Sequence, residues 1–454
     1  MNHHFRRYCF VFVASLCFSF CNAQQKPNVI FILTDDHRWD ALGAMGNRII
    51  QTPNLDQLAA EGILFRNAYV TTSICCVSRA SILSGQYASR HHINDFSTDF
   101  TDTALANTYP LLFKAQGYHT GFVGKYGVGY AHQPINQFDF WACTKQSQPD
   151  YLVKRPDGST IHHTDSTGNS ILQFLDNWGT KGPFCLSVGF KAPHEQDGNP
   201  PEFITQPRFD SLYKKINIPE PLTADSKYWS SFPDFFKTDS NIARVRWQPL
   251  FATHDEYEQT VKKYYRLITG VDEVVGKLRK RLKELGIEKN TIIVFMGDNG
   301  FFLGEHGMEG KWYGYEESIR VPLIVYDPRQ QTTDKKIDAQ QIALNIDIAP
   351  TLLSLAGLPV PAEMQGYNLM NPAVHARKDF FYEHQFLGGR LIPRSEGVVA
   401  ANIKYLNYID FHYEELYDLS KDPHETNNLA REKADQSLLK KMRERYEALK
   451  KAVK

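Results

Sequence analysis

From about residue 27 onward, short apolar runs rich in β-branched residues alternate with longer amphipathic stretches. "PNVIFILTDD" (27–36) is apolar without alternation and stops at two aspartates. A strand buried on both faces of a parallel sheet reads this way, and its end is placed at Thr34. "HTGFVGKYG" (119–127), "FCLSVGFKAPH" (184–194), "NTIIVFMGDNG" (290–300) and "VPLIVYDP" (321–328) have the same form. Between them lie helical patterns: "TPNLDQLAAEGI", "SRASILSGQY", "TGNSILQFLDNWG" and the long "DEYEQTVKKYYRLITGVDEVVGKLRKRLKELG". This alternation predicts an α/β fold, a large and mostly parallel central sheet with helices on both faces. Ligand sites in such sheets form beyond the carboxyl ends of the strands, where the polar residues of these runs fall.

Residues 195–250 break the pattern. They are rich in Pro, Phe and Trp ("NPPEFITQPRFD", "SKYWSSFPDFFKTDS"). So many aromatics predict an ordered insertion, not a linker. From about residue 375, "DFFYEHQF", "EGVVAANIKYLNYI" and "EELYDL" read as short antiparallel strands, followed by a charged helix over 432–452. The expected organisation is a catalytic unit over 24–374 and a smaller C-terminal α+β subdomain over 375–454, with a short antiparallel sheet and a terminal helix.

The first 23 residues differ in character. Arg6 and Arg7 precede an apolar run from Tyr8 to Phe20, and the stretch closes on Cys-Asn-Ala. That is the order of a secretory signal, with cleavage after Ala23. The run of about 13 residues is short for a membrane span; the alternatives are an anchor, a buried helix, or lipidation at Cys17 or Cys21. An exported protein, periplasmic or secreted and without stable membrane insertion, is expected. The 454-residue chain carries 51 basic and 51 acidic residues, so no global basic field points to nucleic acid. Beyond the signal the cysteines are Cys75, Cys76, Cys143 and Cys185. None has CxxC spacing, so a zinc site is not expected. A Cys143–Cys185 bridge and buried free thiols are both open.

Asp35 and Asp36 end one strand; Asp298 and Asn299 end another. Crowded carboxylates need a cation or protons, and an all-oxygen set suits calcium better than zinc. The alternative is that each caps a following helix. Lys125 and His194 follow other strands, while His306 lies in "GEHG" and Lys311 in "EGKWYGYEESIRVP". Lysines and histidines around a metal form a site for a tetrahedral oxyanion such as sulfate or phosphate; singly, each reads as a solvated surface group. In "TSICCVSRASILSG" (72–85), Cys75 stands at the start of a helical run with Arg79 four residues on. That favours an anionic or polar nucleophile, against a buried pair filling core.

These residues resemble the type I sulfatases of the alkaline phosphatase superfamily. The resemblance covers nearly all of the mature chain, from "PNVIFILTDDHRWDALG" to "YEELYDLSKDPHETNNLA", through the Asp pair, "CxxSRASILSG", "GDNGFFLGEHG" and "KWYGYEESIRVPLIV". The resemblance implies that one cysteine or serine of a C/S-x-P/A-x-R motif is oxidised to formylglycine. Arg79 sets the frame, so the modified residue is Cys75 and not Cys76. It implies one calcium ion on Asp35, Asp36, modified Cys75, Asp298 and Asn299. Arg79 would stabilise the formylglycine, with Lys125, His194 and Lys311 around the sulfate. The hydrated aldehyde would attack sulfur, His194 would protonate the departing sugar oxygen, and the second hydroxyl would expel sulfate. A formylglycine-generating or radical maturase is the implied partner. Position 77 is Val where the family has Pro or Ala. Gly127 stands where the family has histidine, leaving its step to another group, His306 or a water.

The resemblance points to bacterial enzymes that desulfate glycans, with a sulfated carbohydrate as substrate. Arg244, Arg246 and Trp247 in the insertion, and His384, Arg390, Arg394 and Glu396 near the C-terminus, are candidates to hold an anionic sugar; surface ion pairing is their alternative. A deep pocket would imply action on chain ends, an open groove action within chains. The rival functions are a phosphonate or phosphate-ester hydrolase and an inactive glycan-binding homologue.

Overall fold

The computed structural model describes residues 25–146, 148–238, 240–330, 337–371, 377–386 and 392–454. The expected signal, the 374/375 boundary and Arg390 lie outside the described residues. Eight strands form the main sheet: β1 (Asn28–Asp35), β2 (Ile63–Tyr69), β3 (His119–Gly124), β4 (Phe140–Cys143), β5 (Phe184–Pro193), β6 (Thr291–Gly297), β7 (Leu323–Tyr326) and β8 (Ile337–Leu344). Their spatial order is β8-β2-β7-β6-β1-β5-β3-β4. Only β7 runs against its neighbours. Three of these strands, β2, β4 and β8, were not expected from the apolar pattern.

Both faces of the sheet are covered, as the unbroken apolar runs require. In β1, Val29, Phe31 and Leu33 join one core while Ile30 and Ile32 join the other, the two-residue alternation of a strand. Helix α1 (Cys75–Ser84) packs into the first core through Cys76, Val77, Ala80 and Leu83. Helices α2 (His163–Trp178) and α3 (His254–Glu284) pack into the second through Phe174, Leu267 and Val271. A reciprocal capping box between Thr253 and Glu256 starts α3, satisfying N–H groups that have no intrahelical partner.

The C-terminal part forms a four-stranded antiparallel sheet in sequence order: β9 (Asp379–His384), β10 (Ser395–Ala400), β11 (Ile403–Tyr408) and β12 (Tyr413–Asp418). Helix α4 (Gln436–Val453) packs on it through Leu439 and Tyr446. The insertion is ordered around aromatic contacts, Phe232 stacking on Phe236 at 4.4 Å. Cys143 and Cys185 are free thiols. They lie on β4 and β5 with β3 between them, and two strand spacings exceed the reach of a disulfide.

Candidate active site

Register brings the chemistry-bearing residues to one edge. Thr34 pairs with Gly297, Asp35 with Pro193, and Gly124 with Gly189. Asp35, Asp298, His194 and Lys125 therefore emerge together at the carboxyl ends of four adjacent strands. Asp36 has φ 62°, a left-handed conformation that Asp tolerates better than most residues. Its carboxylate meets Asn299 Nδ2 at 2.6 Å and Lys311 Nζ at 2.6 and 2.7 Å.

Asp35, Asp36, Asp298 and Asn299 are all fully buried. Lys125 donates to Asp35. Arg79 donates from Nε to Asp298 Oδ2 at 2.8 Å, and Asp36 N–H donates to Asp298 Oδ1 at 3.1 Å. His194 Nε2 lies 3.4 Å from Asp36 Oδ2. Burial opposes the charge of Asp35, but Lys125, His194, Arg79 and Lys311 outweigh it and hold the carboxyl well below the usual range. Burial, together with Asp35, pushes Asp298 up to about 6. Burial disfavours the Lys311 ammonium, yet Asp36 holds it well above its ordinary value.

Cys75 occupies the first turn of α1, and Arg79 follows one turn later on the same face. Burial pushes the Cys75 thiol up to about 11. Cys76 points into the core and is fully buried. Gly127 adopts φ +74°, and a Cβ there would fall 2.7 Å from Arg79 Cδ. The Arg79 side chain thus fills the space beside residue 127.

Cys75, His194 and Lys311 open into a cavity of about 340 Å³ with Phe96, Tyr130, Gln148, Asp197, Ile242, Arg246, Trp312, Phe386 and Ile392. The floor is polar and the walls largely aromatic. Arg246 is held by Glu195 at 2.7 Å and Asp197 at 2.9 Å, with Glu309 at 3.7 Å. Gln148, Glu195, Asp197 and Glu309 were missed in the sequence. Glu195 and Asp197 follow His194 directly, which was the available signal; Gln148 offered none. A larger cavity of about 640 Å³, lined by Arg38, Trp39, Glu305, Glu317 and Arg320 among others, contains none of the expected site residues.

The remaining candidates are placed elsewhere. His306 sits among Tyr228, Phe232, Phe302 and Tyr315 and does not line the Cys75 cavity; burial holds its ring neutral, down to about 3. Trp247 is covered by the Arg244 guanidinium at 3.7 Å, and Arg244 also donates to the Gly307 carbonyl at 3.0 Å. Glu396 binds Tyr446 and Lys450 of α4, each at 2.5 Å. Arg394 pairs with Asp410. His384 is fully buried. These contacts are structural: helix docking, ion pairing and core packing account for them.

The donor set fits a hard cation. Asp35 Oδ1 and Asn299 Oδ1 are buried oxygens with no donor, beside the Asp36 and Asp298 carboxyls, which burial pushes up in the absence of a cation. Asp35, Asp36 and His194 bring ligand atoms within 4.8 Å of one another.

Comparison with known proteins agrees with this geometry. The sulfatase family model matches residues 27–358, and the model for the N-sulphoglucosamine sulphohydrolase C-terminal region matches residues 304–452. An arylsulfatase of Clostridium perfringens is 31% identical over 450 residues, covering 89% of this chain and 90% of that protein. An N-acetylglucosamine-6-O-sulfatase of Bacteroides thetaiotaomicron is 29% identical, covering 92% and 86%. A solved complex with the substrate D-glucosamine-2-N,6-O-disulfate superposes with a TM-score of 0.80 and 28% identity, covering 94% of this chain and 98% of that one. A phosphonate monoester hydrolase of Agrobacterium radiobacter shares the fold, with a TM-score of 0.78 and 20% identity. On the strength of the family match and the site it brings together, the chain belongs to the sulfatase family and is a sulfuric ester hydrolase.

Proposed function

We propose that the protein removes O-sulfate from a terminal sugar of a sulfated glycan, using one calcium ion and a formylglycine made from Cys75 by a maturing enzyme. The relatives named above direct the first choice of sugar to 6-O-sulfated glucosamine. A cavity of about 340 Å³ with aromatic walls suits one sugar ring better than a chain segment, so action on chain ends is proposed. One observation carries the reading. Arg79, Lys125, Lys311 and His194 converge with four buried oxygen side chains around Cys75 at a helix start.

Asp35, Asp36, Asp298 and Asn299 would hold the calcium. When bound, calcium and the hydrated aldehyde supply an acidified hydroxyl as nucleophile toward sulfur. Lys125 and Lys311 bind sulfate oxygens and offset the charge that grows on them. His194 Nδ1 is committed to the Glu195 carbonyl at 2.6 Å, so Nε2 is the atom that faces substrate. Burial and the nearby Lys311 hold the free ring neutral, so His194 takes up a proton as the sulfate anion binds and then gives it from Nε2 to the departing sugar oxygen. Arg79 holds Asp298 and donates to the Lys125 carbonyl at 2.8 Å, which fixes the helix start relative to two strand ends. Export through the N-terminal 23 residues places this activity in the periplasm or outside the cell.

The test is sulfate release from glucosamine 6-sulfate and from its N-sulfated and N-acetylated forms, with a 2-O-sulfated uronic acid as control. Release from none of the glucosamine esters overturns the substrate choice. Phosphate-ester turnover exceeding sulfate-ester turnover on paired aryl substrates overturns the reaction class.

A further inference from the structure

Gln148 lies in the connection after β4 and has no part in the mechanism above. Its Oε1 accepts from Lys125 Nζ at 2.6 Å, and its Nε2 lies 2.5 Å from His194 Nε2. Because His194 Nδ1 donates to the Glu195 carbonyl, Nε2 of the neutral ring is an acceptor, and the amide must donate to it. Each end of the amide therefore has the one partner it can use. Tyr151 anchors the same connection, its hydroxyl donating to the His194 carbonyl at 2.5 Å and its N–H to Gln196 Oε1 at 2.9 Å. The backbone is fixed nearby, and the Gln148 side chain spans Lys125 and His194.

We propose that Gln148 sets the affinity of the site for sulfate, its amide bridging Lys125 and His194 across the position of the sulfate group and giving way when sulfate binds. This rests on the placement of sulfate between those two residues. The amide oxygen and a sulfate oxygen both accept, so they compete for Lys125 Nζ, whereas the amide N–H that meets His194 Nε2 has no counterpart on sulfate. Sulfate brings charge that the amide lacks, and bonds to a charged acceptor are the stronger ones. Gln148 thus acts as a weak internal competitor and keeps two buried polar groups satisfied before substrate arrives.

The test uses calcium-loaded protein and sodium sulfate, with sodium chloride at matched ionic strength as control. Sulfate affinity is read from the thermal shift in the wild type, Gln148→Ala, Gln148→Asn and Gln148→Glu. Alanine removes the competitor, and asparagine is too short to span both partners. Both are expected to bind sulfate about tenfold more tightly, with KM falling and kcat nearly unchanged. Glutamate pairs with Lys125 and repels sulfate, so its affinity falls below wild type. A purely structural role predicts weaker sulfate binding in all three. Equal or weaker binding by both Gln148→Ala and Gln148→Asn overturns the assignment. Sulfate that stabilises none of the four proteins overturns this assignment together with the placement of sulfate between Lys125 and His194.

Discussion

Arg79 Nε and Asp298 Oδ2 meet at 2.8 Å, tying helix α1 to the end of β6. Neither side chain reaches solvent to any useful degree. Removing one partner leaves a buried charge uncompensated, at a cost of about 3–5 kcal/mol. Arg79→Met should therefore lose activity and unfold at markedly lower denaturant, whereas Arg79→Lys should recover part of the stability and little of the activity. Paired urea titrations and sulfate-release assays check this; a fully stable Arg79→Met would show that the pair is not structural.

Cys75→Ala should release no sulfate, yet its stability should stay within about 1 kcal/mol of wild type, since alanine is an excellent helix former. Cys76→Ala should keep activity and lose about 1 kcal/mol through core packing alone. Mass spectrometry of the peptide that spans Cys75 should find an aldehyde in place of the thiol. An intact thiol in active protein removes formylglycine from the reading.

Chelation should lower both activity and thermal stability, because the three buried carboxyls of Asp35, Asp36 and Asp298 and the orphaned oxygens of Asp35 and Asn299 favour a bound divalent cation. Calcium should restore both. Asn299→Ala should raise the calcium concentration needed for half-maximal stabilisation, by tenfold or more if one ligand is lost. A chelator-insensitive melting curve argues against a cation at these residues.

Asp272 gives a separate dependence on pH. From helix α3 it accepts from the Leu55 N–H and the Asn54 side chain, both at 2.7 Å, and burial pushes its pKa up from 3.8 to about 6. A carboxyl with a raised folded pKa holds its proton better in the folded state. Its contribution to stability is complete below about pH 4 and is lost as pH rises through about 6, a change of at most about 3 kcal/mol. Asp272→Asn should remove this slope from denaturation curves measured between pH 4 and 7; an unchanged slope places the ionisation elsewhere.

His306→Phe should leave kcat/KM within about twofold of wild type, since the ring packs among aromatics outside the catalytic cavity. A large loss of kcat with unchanged stability would give His306 the catalytic part that its packing denies it.

The strands carrying Asp35, Lys125, His194 and Asp298 were legible because a doubly covered parallel strand must be apolar throughout and must break where it meets the site. Strand β2 was not: "ILFRNAY" carries Arg66 and Asn67 at half-buried positions, which dilutes the apolar signal. The reversed direction of β7 leaves no trace in composition. At the site, charged residues at the strand ends stood out, while Glu195, Asp197 and Glu309 beside Arg246 did not, and Gln148 gave no signal, since an amide in a loop looks like any other. Glu396 and Arg394 stood out as charged candidates near the C-terminus, and their partners Lys450 and Asp410 could not be read from the sequence.

The packing of Arg79 against Gly127 bears on what position 127 can accept. A side chain cannot be placed at position 127 without displacing the Arg79 aliphatic stem and adopting a left-handed backbone. The two positions are therefore coupled: any side chain at 127 needs the Arg79 stem to move, and with it the arginine that holds Asp298.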